Sequence, residues 1–359
     1  MKKSKSLSGG HEMKSGKLIV LILIASVFLI VSSASAAEYA GSEKCSMCHM
    51  EKFNDWKTSG HPYKLRPASA AKYAPLPLPK GYTWDDISYV IGGHRWKARY
   101  MDKKGYLITA DKDGKAMPTQ WNIVSGKWVN YKAGEKAKYD CGPCHMTGYK
   151  KEGNQDGLEG IVGTWAFPAI HCEECHGPGG EHVKSGDKTK ISLETSPDLC
   201  GKCHIRGEKG KIPAKDGYIE HHEQYNEYLS SPHAGKLQCT TCHDPHKPAR
   251  FGIRKGCADC HGKEAEEFKG SGMQKMNVKC IDCHMPKAGK SADAASKWEA
   301  DVKTHSWKIS IDPKSSMFTE DGKFATGILT LDFACLRCHQ DRNIEWAASK
   351  AKGIHRLGK

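Results

Sequence analysis

The chain has 359 residues, with 55 lysines and arginines against 41 aspartates and glutamates and a formal net charge of +14. Its length suggests two ordinary domains, but 38% apolar residues is lean for two cores. The 16 cysteines and 19 histidines are the unusual feature, and their arrangement excludes a disulfide framework and argues against the nucleic-acid binding that a basic chain otherwise suggests.

At the N-terminus, Lys14 and Lys17 precede an apolar run of 14 residues, Leu18–Val31, followed by small residues through Ala37. Ala34-Ser35-Ala36 fits an A-x-A cleavage site, so residues 1–36 are predicted to be a secretory signal peptide. The run falls short of the about 20 apolar residues that span a bilayer. Membrane association is expected only if this segment stays uncleaved. Met13 is a second candidate start, which would leave His11 outside the protein. The expected location is exported, periplasmic or at the cell surface.

Residues 37–61 carry the first of eight Cys-x-x-Cys-His pentapeptides, Cys45–His49. The others are Cys141–His145, Cys172–His176, Cys200–His204, Cys239–His243, Cys257–His261, Cys280–His284 and Cys335–His339. This is the attachment signal for c-type haem. Each thiol adds across a porphyrin vinyl group, and the histidine reaches the iron as proximal ligand. The predicted thioether residues are Cys45, Cys48, Cys141, Cys144, Cys172, Cys175, Cys200, Cys203, Cys239, Cys242, Cys257, Cys260, Cys280, Cys283, Cys335 and Cys338. The predicted proximal ligands are His49, His145, His176, His204, His243, His261, His284 and His339. Zinc ribbons do not require a histidine after each CxxC, and redox CxxC pairs occur once per domain. Eight covalently bound haems c are therefore expected, and no cysteine is left over.

Residues 62–140 hold no motif. After loop signals at Pro75, Pro77, Pro79 and Lys80-Gly81, the stretches 87–91, 96–101, 106–110 and 128–131 are β-branched and aromatic. They predict a small β-containing insert, with Asp102-Lys-Lys-Gly105 as a hairpin turn. Residues 141–300 carry motifs 2–7, the last three of them within the 46 residues Cys239–His284. A helix is predicted over Tyr218–Ser230, carrying His221 and His222. Residues 301–359 carry motif 8 and a predicted terminal helix over Asp341–Lys352, stopped by Gly353. The expected fold is mainly α with extensive loop, the haem stack replacing most of the side-chain core and the haem-free chain largely unfolded.

Each low-spin iron needs a sixth ligand, and ten histidines outside the motifs and leader are available. His61, His182, His222, His233, His246, His305 and His355 are the favoured candidates, with the eighth drawn from His94, His171 and His221. Met50, Met146 and Met285 follow proximal histidines directly and are expected to pack. Without the leader, 50 basic residues face 40 acidic ones. Two propionates per haem bring an oxidised holoprotein down to about +2, so the basic excess reads as counter-charge to propionates.

The motif density, with Phe333–His355 (FACLRCHQDRNIEWAASKAKGIH) and Cys239–His246 (CTTCHDPH), resembles the multihaem cytochrome c superfamily over roughly residues 40–357. That group includes tetrahaem carriers, hydroxylamine oxidoreductase, octahaem tetrathionate reductase and pentahaem nitrite reductase. The resemblance implies haem pairs in stacked and perpendicular contact. Pentahaem nitrite reductases usually bind the catalytic haem through a motif ending in lysine, which none of the eight does. Hydroxylamine oxidoreductase needs a cross-linked tyrosine, which a sequence does not reveal. The favoured expectation is electron transfer along eight closely packed, mostly bis-histidine haems, with no catalytic residue. It would act with redox partner proteins or an extracellular acceptor, with self-association into an oligomer or filament open. The alternative is a reductase of a small nitrogen or sulfur oxyanion with one open haem.

Overall fold

The computed structural model describes residues 38–356; the predicted signal peptide lies outside them. Among the described residues no helix is long and apolar enough to cross a membrane.

Strands form in three of the four stretches expected to be extended, while residues 106–110 make only isolated bridges. Five antiparallel strands, β1 (Leu65–Pro67), β2 (Ile87–Gly92), β3 (Lys97–Asp102), β4 (Gln120–Asn122) and β5 (Lys127–Val129), pair in sequence order. The β3 exit turns at Gly105, whose φ of 83° suits glycine, while Asp102 Oδ1 accepts from Lys104 and Tyr106 N–H. Strict alternation would put Ile87, Tyr89 and Ile91 on one face. The register shifts between Ile87 and Tyr89, however, so Ile87 joins Val90 on the opposite face. Both faces are consequently covered. One packs Ile87, Val90, Ala98 and Tyr100 against Trp121 and Trp128. The other packs Leu65, Tyr89, Ile91 and Met101 against Tyr139, Met146 and Trp165. This second face meets motif 2, because Met146 follows His145 and opens β6 (Met146–Thr147), paired with β7 (Phe167–Pro168).

A further sheet corrects the helix expected over Tyr218–Ser230. β8 (Ile212–Lys215) and β9 (Tyr218–Glu220) form a hairpin through Asp216-Gly217, both at positive φ (53° and 77°), the pair that a primed two-residue turn demands. Its outer neighbours are β10 (Gly289–Lys290) and β11 (Phe324–Ala325). The helix begins only at Gln224 and runs to Leu229, leaving His221 and His222 in the connecting turn. This sheet and the loops after it bury Ile212, Ile219, Leu329 and Phe333 together. At about 1.5–3 kcal/mol per fully buried large apolar side chain, these clusters are real side-chain cores, contrary to the expectation that haem would replace them.

Several motifs lie on single helical turns such as Cys172–His176 and Cys280–His284, whereas motif 1, Cys45–His49, lies inside the longer helix Ser42–Thr58. From Cys239 to His284 no apolar side chain is buried; the buried positions are Asp244, Gly252 and Ser271. The terminal helix is Ile344–Ala351, capped by Asn343 Oδ1 on Trp346 N–H at 2.9 Å, with Gly353 at φ 76° beyond it. Buried Glu173 accepts the N–H groups of Ala40, Gly41 and Gly179 at 2.7–2.8 Å, tying the start of the described chain to motif 3. Met146 packs in the core, whereas Met50 is 54% exposed.

Candidate functional site

None of the 16 cysteines forms a disulfide, and sulfurs of different motifs meet. Cys45 contacts Cys172, Cys144 contacts Cys203, Cys200 contacts Cys239, and Cys257 contacts Cys280. Motifs 2 and 4 also lie back to back, with Cys144 Sγ 3.8 Å from the Lys202 carbonyl and Cys203 Sγ 3.9 Å from the Pro143 carbonyl. Cys283 and Cys335 are electrostatic neighbours, joining motifs 7 and 8.

Five motif histidines each face one of the candidate sixth ligands. Ring centroids are 6.4 Å apart for His49–His182, 6.3 Å for His176–His246, 6.1 Å for His243–His305, 6.1 Å for His261–His233 and 6.2 Å for His284–His355. An iron–imidazole bond of about 2.0 Å, plus roughly 1.15 Å from nitrogen to ring centroid, would space two axial imidazoles by about 6.3 Å. The five gaps match that spacing, so these residues fit a haem iron. Several of the rings are also turned by a hydrogen bond that occupies Nδ1. His176 bonds the Ser192 carbonyl at 2.7 Å, His182 that of Asp187 at 2.9 Å, and His284 that of Trp307 at 2.9 Å. Nε2 is then left for a metal.

Other candidates are placed differently. His61 bonds the Pro245 carbonyl and neighbours His204, and burial pushes its imidazole down to about 3. His171 has both nitrogens engaged, Nδ1 with Ser42 Oγ at 2.9 Å and Nε2 with the Pro168 carbonyl at 3.0 Å. His94 stacks on Tyr63 at 4.3 Å. His221 holds the Arg206 guanidinium at Nε2 (3.2 Å) and bonds the Lys290 carbonyl. His339 packs on Trp346, with centroids 4.9 Å apart.

Motif 2 has surroundings of its own. His145 Nδ1 meets the Tyr139 hydroxyl at 3.2 Å, and burial, then Lys64, Arg99 and Lys97, push its imidazole down to about 3. Lys97 and Arg99 share the Met101 face of β3, alternating with Ala98 and Tyr100, and so project toward motif 2. Lys97 Nζ reaches the Ser291 carbonyl, and burial lowers its ammonium to about 7. Arg99 lies over the Tyr131 ring and donates to Gln120 Oε1 at 2.7 Å. Lys64, likewise pushed down by burial, comes from the segment after motif 1. His222, in the turn after β9, neighbours Lys64, His221, His204 and His145, and burial holds it neutral. Its φ of 72° is a strained backbone for a side chain other than glycine. Three separate segments thus bring Lys64, Lys97, Arg99 and His222 together beside one proximal histidine, with His221 and its partner Arg206 adjoining them. The sequence reading missed the four cations. Lys97-Ala-Arg99 alternation in a predicted strand was the available signal.

A sequence model of the family described as cytochrome c554 and c-prime matches residues 111–177. The dissimilatory sulfite reductase MccA of Wolinella succinogenes is 22% identical over an alignment covering 77% of this chain and 55% of that protein. The multiheme cytochrome MtrA of Shewanella baltica is 24% identical, covering 48% of this chain and 54% of its own length. The chain spans about half the length of the curated relatives it matches. Among solved structures, the outer cell wall cytochrome OcwA superimposes with a TM-score of 0.60 at 21% identity, covering 87% of this chain and 86% of that one. The octaheme sulfite reductase MccA of Wolinella succinogenes gives a TM-score of 0.60 at 18% identity, covering 84% and 65%. Together with its repeated Cys-x-x-Cys-His motifs, the family-model match and the curated relatives support the multihaem c-type cytochrome superfamily for this chain, and the two solved structures share its fold.

Proposed function

We propose that this exported protein carries eight haems and relays electrons to one iron, at motif 2, that binds a small sulfur or nitrogen oxyanion. The observation that carries the reading is the convergence of Lys64, Lys97 and Arg99 beside His145. Covalently bound haem supplies a one-electron couple at each motif and, where a coordination position is open, a place for a ligand. The six candidate sixth ligands are His182 for motif 1, His246 for motif 3, His61 for motif 4, His305 for motif 5, His233 for motif 6 and His355 for motif 7. Thiol contacts order the route. Motif 1 abuts 3, motif 4 abuts 2 and 5, 6 abuts 7, and 7 neighbours 8.

At motif 2 the residues have separate tasks. Arg99 attracts an anion and orients its oxygens, while Arg206 is paired with Glu220 at 2.9 Å and holds His221 in place. Lys64 and Lys97, with ammonium groups destabilised by burial, are the side chains most ready to give up a proton there. His222 offers a neutral imidazole, and Tyr139 fixes the orientation of His145. The likeness to a sulfite reductase supports this reading over a pure carrier.

Carbon monoxide difference spectra and sulfite or nitrite titrations of the holoprotein test it. At least one carbon monoxide-binding haem is expected, since motifs 2 and 8 are assigned no sixth ligand, with anion affinity falling at least about tenfold in Arg99→Leu. If no haem takes carbon monoxide and neither anion perturbs the spectrum, the protein is a relay only.

A further inference from the structure

One imidazole of the five pairs is held by a full charge. His246 Nδ1 meets Asp244 Oδ1 at 2.8 Å, and the His246 backbone N–H donates to the same oxygen at 3.1 Å. The bonded acceptors of His176, His182 and His284 are all neutral carbonyls. Glu227 Oε2 lies 3.8 Å from His305 Nδ1, beyond hydrogen-bond reach. The Asp244 side chain is only 10% exposed, and its countercharges are Arg254 at 3.4 Å and Lys52 at 3.7 Å, both far more open to solvent. Solvent screens those two more than it screens the buried carboxylate contact.

A carboxylate on the outer N–H of an axial imidazole draws that proton away and makes the metal-facing nitrogen a stronger donor. A stronger donor and a nearby buried negative charge both favour ferric over ferrous iron. We infer that Asp244 is a positioning residue that lowers the potential of the haem at motif 3 below those whose ligands bond only to carbonyls. The inference rests on reading His246 as the sixth ligand opposite His176. Motif 3 abuts motif 1 through Cys172 and neighbours motif 4 through Cys175 and Cys200. Exchange through motif 1 therefore crosses an uphill station, and electrons already in the chain beyond it are kept from leaking back. Asp244 also directly follows His243, so one side chain couples the settings of motifs 3 and 5.

Asp244→Asn keeps an acceptor for His246 and removes the charge. In a spectroelectrochemical titration of the holoprotein, one haem is expected to move upward, its reduced-to-oxidised ratio at fixed potential rising about tenfold, or about 59 mV for one electron. The low-spin count from EPR should stay unchanged. Arg254→Gln, which removes a countercharge, should move the same haem downward, and it stands as the test if the first variant fails to mature. Titrations of both variants that superimpose on the parent overturn the inference. His246→Ala separates the two levels. If it leaves the low-spin count unaltered, the ligand reading fails. If it costs one low-spin haem while the charge variants leave every potential in place, only the role of Asp244 fails.

Discussion

Single side chains decide which imidazoles are free to meet a metal. His171 spends both nitrogens on Ser42 and Pro168, so His171→Gln should leave the low-spin haem count unchanged. His355 faces His284 across 6.2 Å, and His355→Ala should convert one low-spin haem to high-spin; EPR of both variants makes the comparison. The sequence offered no means to tell these two histidines apart, because one partner that occupies His171, Ser42, lies 129 residues away. Glu173 is a similar case. It occupies a variable position inside Cys-Glu-Glu-Cys-His, yet its carboxylate satisfies three backbone donors. Glu173→Ala strands them in the interior at about 1–3 kcal/mol each, and a lower Tm of the holoprotein should report the loss.

Among elements, the insert was legible and the hairpin was not. β-Branched and aromatic enrichment in Ile87–Gly92 and Lys97–Asp102, with a Gly-containing turn between Asp102 and Gly105, marks strands. At 212–220, Asp216-Gly217 carried the turn signal, but the aromatic and acidic residues that follow suited a helix and pulled the predicted boundary six residues too early. The turn matters because it delivers His221 and His222. No atom lies within 4 Å of a Cβ placed on Gly217, so Gly217→Ala costs backbone strain alone, about 1 kcal/mol. Chemical denaturation should show that small loss. Weaker anion binding at motif 2 should accompany it if the turn sets the position of His222.

Across the whole molecule, stability is divided unevenly between protein and cofactor. The residues around β1–β5 bury Tyr100, Met101 and Tyr139 completely, and they should retain hydrogen-exchange protection in a haem-free chain. Residues 239–284 bury no apolar side chain and should exchange freely until haem is attached. The motif spacing already announced a cofactor-dense segment there. It did not announce that the flanking loops would build side-chain cores of their own, since their apolar residues are scattered over long sequence separations. A segment held only by its cofactors makes covalent loading the step that closes the structure. A chain missing one haem between Cys239 and His284 exposes a continuous open peptide there, and proteases would find it before any partner does. Incomplete molecules would thus be removed by degradation rather than persist as broken conductors.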